Sequence, residues 1–176
     1  MIDLMILGTL VIVVSICVVY FFFFVFLPLG LPFVPSRKKT VQDLLSILGD
    51  ISDKHILDLG SGDGRIVLAC AGVGAHATGY EINPFLVWWS LMKIRFFRLS
   101  DKAIILRKDF WSEDLSEFDI VIFYGVSYLS TRLENKVFGE LKQGAKAVTL
   151  YCKFPSSTPL VENGPIFVYQ NNNNEE

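Results

Sequence analysis

Histidine is almost missing from this chain, with two residues, His55 and His76, in 176. Each stands alone at the start of an apolar run, so the sequence holds no metal-ligand set and no histidine-based nucleophile pair. Cysteine is equally scarce. Cys17, Cys70 and Cys152 lie singly in apolar segments, without disulfide or zinc spacing, which fits a reducing compartment. No basic residue precedes Arg37, and no charge of either sign lies between Leu4 and Ser36. A cleaved signal peptide needs a basic n-region and a short apolar core, so that reading fits poorly. Excess positive charge is lacking too: 16 basic residues face 18 acidic ones. No strong field draws nucleic acid to the chain, and a nucleic-acid partner is not expected.

What the N-terminus does contain is an apolar run from Leu4 through Leu27, longer than the ~20 residues that cross a hydrocarbon core. Residues 1–31 are expected to form a transmembrane anchor contacting the lipid bilayer. Pro28, Pro32 and Pro35 stop the helix, and residues 32–39 read as a Pro-containing basic linker. Arg37-Lys38-Lys39 places the following domain on the cytoplasmic side, or the matrix side in a mitochondrion. A second basic stretch, Lys93, Arg95, Arg98, Lys102, Arg107 and Lys108, reads as a solvated face or as a surface resting on anionic lipid.

From residue 40 the pattern changes. Thr40 reads as an N-cap for a short helix carrying Val41, Leu44, Leu45 and Leu48, with Gly49 at its end. Runs at His55–Leu59, Ala75–Glu81, Ala103–Arg107, Asp119–Tyr124 and Lys146–Lys153 read as buried strands, and 165–170 as a last short one. Helical segments lie between them, the second opened by Asn83 as N-cap and Pro84 as first residue. Alternating strands and helices predict an α/β domain over 40–170 with a mainly parallel sheet. The polar residues 171–176 are expected to be disordered.

The chemistry concentrates where the first strand ends, in Asp58-Leu59-Gly60-Ser61-Gly62-Asp63-Gly64. Dinucleotide sites use G-x-G-x-x-G with a pyrophosphate at a helix N-terminus. Here the glycines are one residue tighter, and two aspartates flank them, which would repel a pyrophosphate. They suit S-adenosylmethionine, which carries a sulfonium, an ammonium, a ribose and no phosphate. Glu81, at the carboxyl end of the second strand, can accept from both ribose hydroxyls. A tight capping turn without ligand is the plainer reading, yet three alternate glycines are costly to keep where nothing approaches.

The D-x-G-x-G-x-G motif and the following acid resemble class I S-adenosylmethionine-dependent methyltransferases, whose Rossmann-like sheet has seven strands; this C-terminus is expected to be abbreviated. Closer matches lie in Pro32-Phe33-Val34-Pro35-Ser36, Leu57 through Val67, Gly79-Tyr80-Glu81-Ile82-Asn83-Pro84, Arg107-Lys108-Asp109-Phe110-Trp111 and Tyr124-Gly125-Val126. These resemble the membrane-anchored lysine N-methyltransferases of the ATP synthase c subunit and the adenine nucleotide translocase. The short length and brief tail look more like a prokaryotic member.

The resemblance implies methyl transfer to a lysine ε-amine of a small membrane protein, the ATP synthase c subunit in a prokaryote. Gly60, Ser61, Gly62 and Gly64 would hold the methionine part, Asp58 its ammonium, and Glu81 with Asn83 the ribose side. Asp109 stands where this class meets the adenine amino group, or else caps a turn, and Phe110 would pack on the ring. Tyr124 and Tyr128 are candidates for orienting the lysine, or else core residues. The Asp/Asn-Pro-Pro-Tyr motif of nucleobase and glutamine methyltransferases is absent after the fourth strand. Trp88 and Trp89 share one helix and cannot both face the core; packing is expected of them, with lining of the target channel or contact with lipid as the alternative for one. A lipid, quinone or small-molecule methyltransferase and a non-catalytic cofactor-binding membrane module remain as alternatives.

Overall fold

The computed structural model describes residues 2–26, 34–125 and 127–172, with side chains of the first helix described from Met5 to Phe21. The chain divides into two compact units, Met1–Val34 and Pro35–Glu176. The first contains α1 (Ile2–Phe26), whose described side chains are all exposed. Among the described residues no helix is long and apolar enough to cross a membrane, so the expected span is not found there. Pro28 of the expected anchor and Pro32 and Phe33 of the expected linker lie outside the described residues, as do Val126 and 173–176.

The second unit alternates helices α2 (Lys38–Leu48), α3 (Arg65–Gly72), α4 (Pro84–Phe96) and α5 (Ser130–Glu140) with seven strands. These are β1 (His55–Leu59), β2 (His76–Glu81), β3 (Ala103–Arg107), β4 (Ile120–Tyr124), β5 (Lys146–Leu150), β6 (Val161–Asn163) and β7 (Ile166–Gln170). They form one sheet in the order β3-β2-β1-β4-β5-β7-β6. The five N-terminal strands are parallel, and β7 enters antiparallel between β5 and β6. Strand order reverses between β1 and β4, and in open sheets ligands bind at the carboxyl ends beside that reversal.

Successive strand residues point to opposite faces. Ile56 therefore joins a core with α2, α3 and α4, while Leu57 joins a second core with α5, Phe110 and Phe154. The sheet has helices on both faces, and the near-continuous apolar strands follow from that double coverage.

Three expectations need correction. The sheet is not abbreviated: all seven strands are present, and the one the sequence conceals is β6, three exposed residues whose Val-Glu-Asn carries no strand pattern. Thr40 does not cap α2, which begins at Lys38 behind Arg37; the Thr40 side chain is buried and its hydroxyl bonds the Tyr151 hydroxyl at 3.2 Å. Asn171 is not part of a loose tail, because it is buried and its amide donates to the Leu141 carbonyl. By contrast Asn83 caps α4 as expected, accepting from the Phe85 and Leu86 amides, with Pro84 behind it.

Candidate cofactor and active site

β1 delivers the chain into the glycine turn at the carboxyl edge of the sheet. Gly60, Gly62 and Gly64 all have φ between +55° and +74°, the left-handed region that L side chains rarely adopt. The turn is fixed from several sides. The Gly60 and Ser61 amides both donate to the Tyr80 carbonyl, and the Gly64 amide donates to Ser61. Ser90 of α4, fully buried, donates its hydroxyl to the Gly62 carbonyl at 3.0 Å. The Ser61 Oγ is buried and has no hydrogen-bond partner among the described residues, a polar atom open to a ligand.

Glu81 closes the other side. It is buried, and its two oxygens accept from the Gly62 amide at 2.9 Å and the Asn83 amide at 2.8 Å. One carboxylate thus ties the turn to the start of α4. A carboxylate has about four lone-pair sites, so two amides leave capacity for hydroxyl donors.

The two aspartates of the turn behave differently, which revises the electrostatic reading. Asp63 is ion-paired to Arg65 at 2.8 Å and to Lys93 at 3.0 Å, and these partners hold its carboxyl below the usual range despite burial. Lys93 is therefore no part of a solvated basic face. Arg65 also donates to the Ser36 carbonyl, fastening the segment before α2 to the turn. Asp58 is the aspartate that matters for a cation. Burial, then the charges of Glu81 and Asp63, push its carboxyl up to about 8. A bound ammonium would reverse that shift.

This yields a prediction with a definite sign. A carboxyl raised from 3.8 to about 8 on folding gives stability that is complete below the lower value and is lost as pH rises to the higher one. Without cofactor, thermal stability should fall across that window, by up to about 1.4 kcal/mol per pH unit. Cofactor affinity should rise across the same window and flatten above it. Asp58→Asn should remove both slopes, as read by thermal unfolding with and without S-adenosylmethionine.

The remaining candidates separate. Asp109 is exposed after β3 and its Oδ1 caps the Trp111 amide at 3.1 Å, so one oxygen has the capping role and the other stays available. Phe110 is buried against Trp111 and Phe123, and packs into the core beside the site. Tyr124 ends β4, half-buried at the carboxyl edge; burial and then Tyr151 raise its hydroxyl above the usual range, keeping it protonated. Tyr128 is 76% exposed on a single turn of 3₁₀ helix, so it is not a core tyrosine.

Tyr151 escaped the sequence reading. It follows β5, lies with its ring 5.0 Å from that of Tyr124, and has φ +66°, strained for a bulky residue. The available signal was register: Tyr124 pairs with Leu150, so the residue that follows β5 had to reach the same edge. Ser90 escaped because a serine inside an apolar helix carries no mark. The two histidines stack on each other at the opposite, amino edge, with ring centroids 5.3 Å apart. Among the described residues no acidic, histidine or cysteine cluster could hold a metal.

Residues 58–161 match the family model of the ANTKMT methyltransferase domain. The chain belongs to that family. The mouse lysine N-methyltransferase of the ATP synthase c subunit is 36% identical over 133 residues, 73% of this chain and 52% of that protein. Mouse adenine nucleotide translocase lysine N-methyltransferase is 37% identical over 142 residues, 78% of this chain and 60% of that protein. A protein-lysine N-methyltransferase of Saccharolobus islandicus is 32% identical over 120 residues, covering 67% and 74%. The chain thus spans little more than half the length of the mouse proteins.

An RNA methyltransferase of Salinibacter ruber, solved with S-adenosyl-L-homocysteine, superposes with a TM-score of 0.74 at 27% identity, over 81% of this chain and 97% of that one. S-adenosylmethionine is the cofactor of this methyltransferase domain. The orphan Ser61 hydroxyl, the approachable glycine turn and the paired acids Asp58 and Glu81 fit its hydroxyls and cation.

Proposed function

We propose that this methyltransferase modifies a lysine ε-amine of a small membrane protein, with the ATP synthase c subunit as the substrate, from a single N-terminal anchor. The observation that carries the reading is the aromatic pair Tyr124 and Tyr151, set at the carboxyl ends of β4 and β5 in a family whose relatives bear lysine-methyltransferase names. The archaeal relative supports a prokaryotic member. For the anchor, the support is the sequence: the uncharged apolar run from Leu4 through Leu27 exceeds the ~20 residues that cross a hydrocarbon core. Arg37, Lys38 and Lys39 then favour the cytoplasmic side for the domain.

When bound, S-adenosylmethionine supplies an activated methyl group, so the protein's task is positioning and exclusion of water. Asp58 holds the ammonium, Glu81 the ribose, and the free Asp109 oxygen the adenine amino group. The target lysine must be neutral, and an ordinary ammonium has a pKa of ~10.4. Packing of the lysine stem against the contacting rings of Tyr124 and Tyr151 desolvates it and lowers that value. The Tyr124 hydroxyl, kept protonated, orients the amine and is not its base.

Radiolabelled S-adenosylmethionine with membranes and the full chain tests the reading. Label is expected in one small hydrophobic protein. Label confined to lipid extract or to RNA, the latter matching the Salinibacter ruber relative, would sink it. Tyr124→Phe should raise the KM for the protein substrate roughly tenfold, the worth of one hydrogen bond of about 1.4 kcal/mol, and leave cofactor affinity unchanged.

A further inference from the structure

The described helices of the domain each carry one apolar stripe, except α4, which is apolar on its outer side as well. Its Leu86, Ser90 and Ile94 are buried against the sheet. Phe85, Trp88, Trp89, Met92 and Phe96 are exposed, the last by 82%, and Phe97 follows them. At about 100° per residue, the five exposed side chains fall within a single stripe on the side away from the sheet. A helix that is apolar on both faces is normally buried on both. This outer face is continuous, aromatic and open to water, where isolated exposed apolar residues would need no explanation.

Its rim is cationic. Arg95 and Arg98 are exposed and take part in no ion pair among the described residues. Lys93 and Lys102 are neutralised by Asp63 and Asp53. Arg107 lies at the other end of the helix, with its Nε 3.4 Å from the Ile82 carbonyl. Between Pro84 and Lys102 the sole acidic residue is Asp101.

We propose that the outer face of α4 docks on an anionic bilayer surface, with its aromatic stripe at headgroup depth and Arg95 and Arg98 on lipid phosphates. Paired tryptophans with an apolar body and a polar edge suit that interface, and aromatic residues beside arginine are the composition of helices lying in it. Each surface cation adds attraction to anionic lipid. A second copy of the chain fits less well, because it would bring its own Arg95 and Arg98 against the same pair with only Asp101 to meet them. The helix starts beside Asn83 and Glu81, so docking along α4 brings the mouth of the cofactor cradle to the membrane surface. This deepens the proposed membrane substrate and rests partly on it.

The full chain is placed in vesicles of phosphatidylglycerol and phosphatidylcholine brominated on the acyl chains. Trp88, Trp89 and Trp111 are the three tryptophans, and Trp111 packs under the Arg132 guanidinium at 3.9 Å, on the domain itself. In Trp111→Phe the emission should shift to the blue and lose most of its intensity. In the Trp88→Phe/Trp89→Phe variant, the remaining Trp111 should be unquenched. Wild type measured beside that double variant gives the same difference should Trp111→Phe not fold. Arg95→Gln/Arg98→Gln should lower the quenching in phosphatidylglycerol vesicles towards its level in phosphatidylcholine alone. Unquenched Trp88 and Trp89 overturn the proposal, as does equal quenching of Trp111. Labelling of Cys17 by a water-soluble maleimide reports separately on the α1 anchor: Cys17 protected with Trp88 and Trp89 unquenched leaves the anchor standing and removes the docking face.

Discussion

Glu81→Gln is expected to lower S-adenosylmethionine affinity roughly a hundredfold, the equivalent of about 3 kcal/mol, as measured by calorimetry. Two effects combine. The amide replaces an acceptor that would meet the ribose hydroxyls, and hydrogen bonds to a charged group exceed neutral ones in strength. The NH₂ also faces one of the two backbone amides, Gly62 or Asn83, that the carboxylate now satisfies. A donor set against a donor pushes the turn away from α4. The substitution should therefore cost fold stability as well, and circular dichroism distinguishes loss of ligand contact from loss of fold. A folded variant that binds within threefold of the original would show that Glu81 does not hold the ribose.

The second large effect is expected at Gly79, inside β2, where φ is ordinary and the constraint is purely one of space. A Cβ there would stand 2.5 Å from both the Ile105 Cδ1 and the Ser61 Oγ, and 2.6 Å from the Ser61 Cβ. The isoleucine methyl can turn aside. Ser61 cannot do so easily, since its amide is held by Tyr80 and its side chain is buried. Gly79→Ala should destabilise the domain by about 1–3 kcal/mol, the usual range for an overpacked core. It should also drive Ser61 into the space the cofactor needs. Adding Ile105→Val removes one clash only, so thermal stability should partly recover while cofactor binding stays impaired. Recovery of both together would place the fault at Ile105, and an unperturbed Gly79→Ala would discard the packing argument.

The parallel part of the domain was legible because its central strands are buried on both faces and α4 carries an ordinary start signal. Ile56-Leu57 and Val121-Ile122 are continuous apolar runs, and Asn83-Pro84 marks a helix start by chemistry alone. What escaped was set by pairing across the sheet. β6 is recognisable only from its hairpin with β7, because three exposed residues bury nothing of their own. The site divided the same way. Asp58, the glycines and Glu81 form one motif along the chain, so their spacing points to a cofactor. Asp63 looked like part of the same negative field until Lys93, far along α4, proved to neutralise it. Tyr151 and Thr40 meet across 111 residues, a separation at which no local pattern carries information.

The two borders of the sheet are finished in different ways. β3 is bounded by Lys102 and Arg107, and β6 offers only three residues, with Glu162 ion-paired to Lys153. Unpaired strand edges are templates for aggregation, and brevity or flanking charge spoils them as templates. Blunt borders let copies of the domain meet at high concentration while each sheet stays closed to its neighbours.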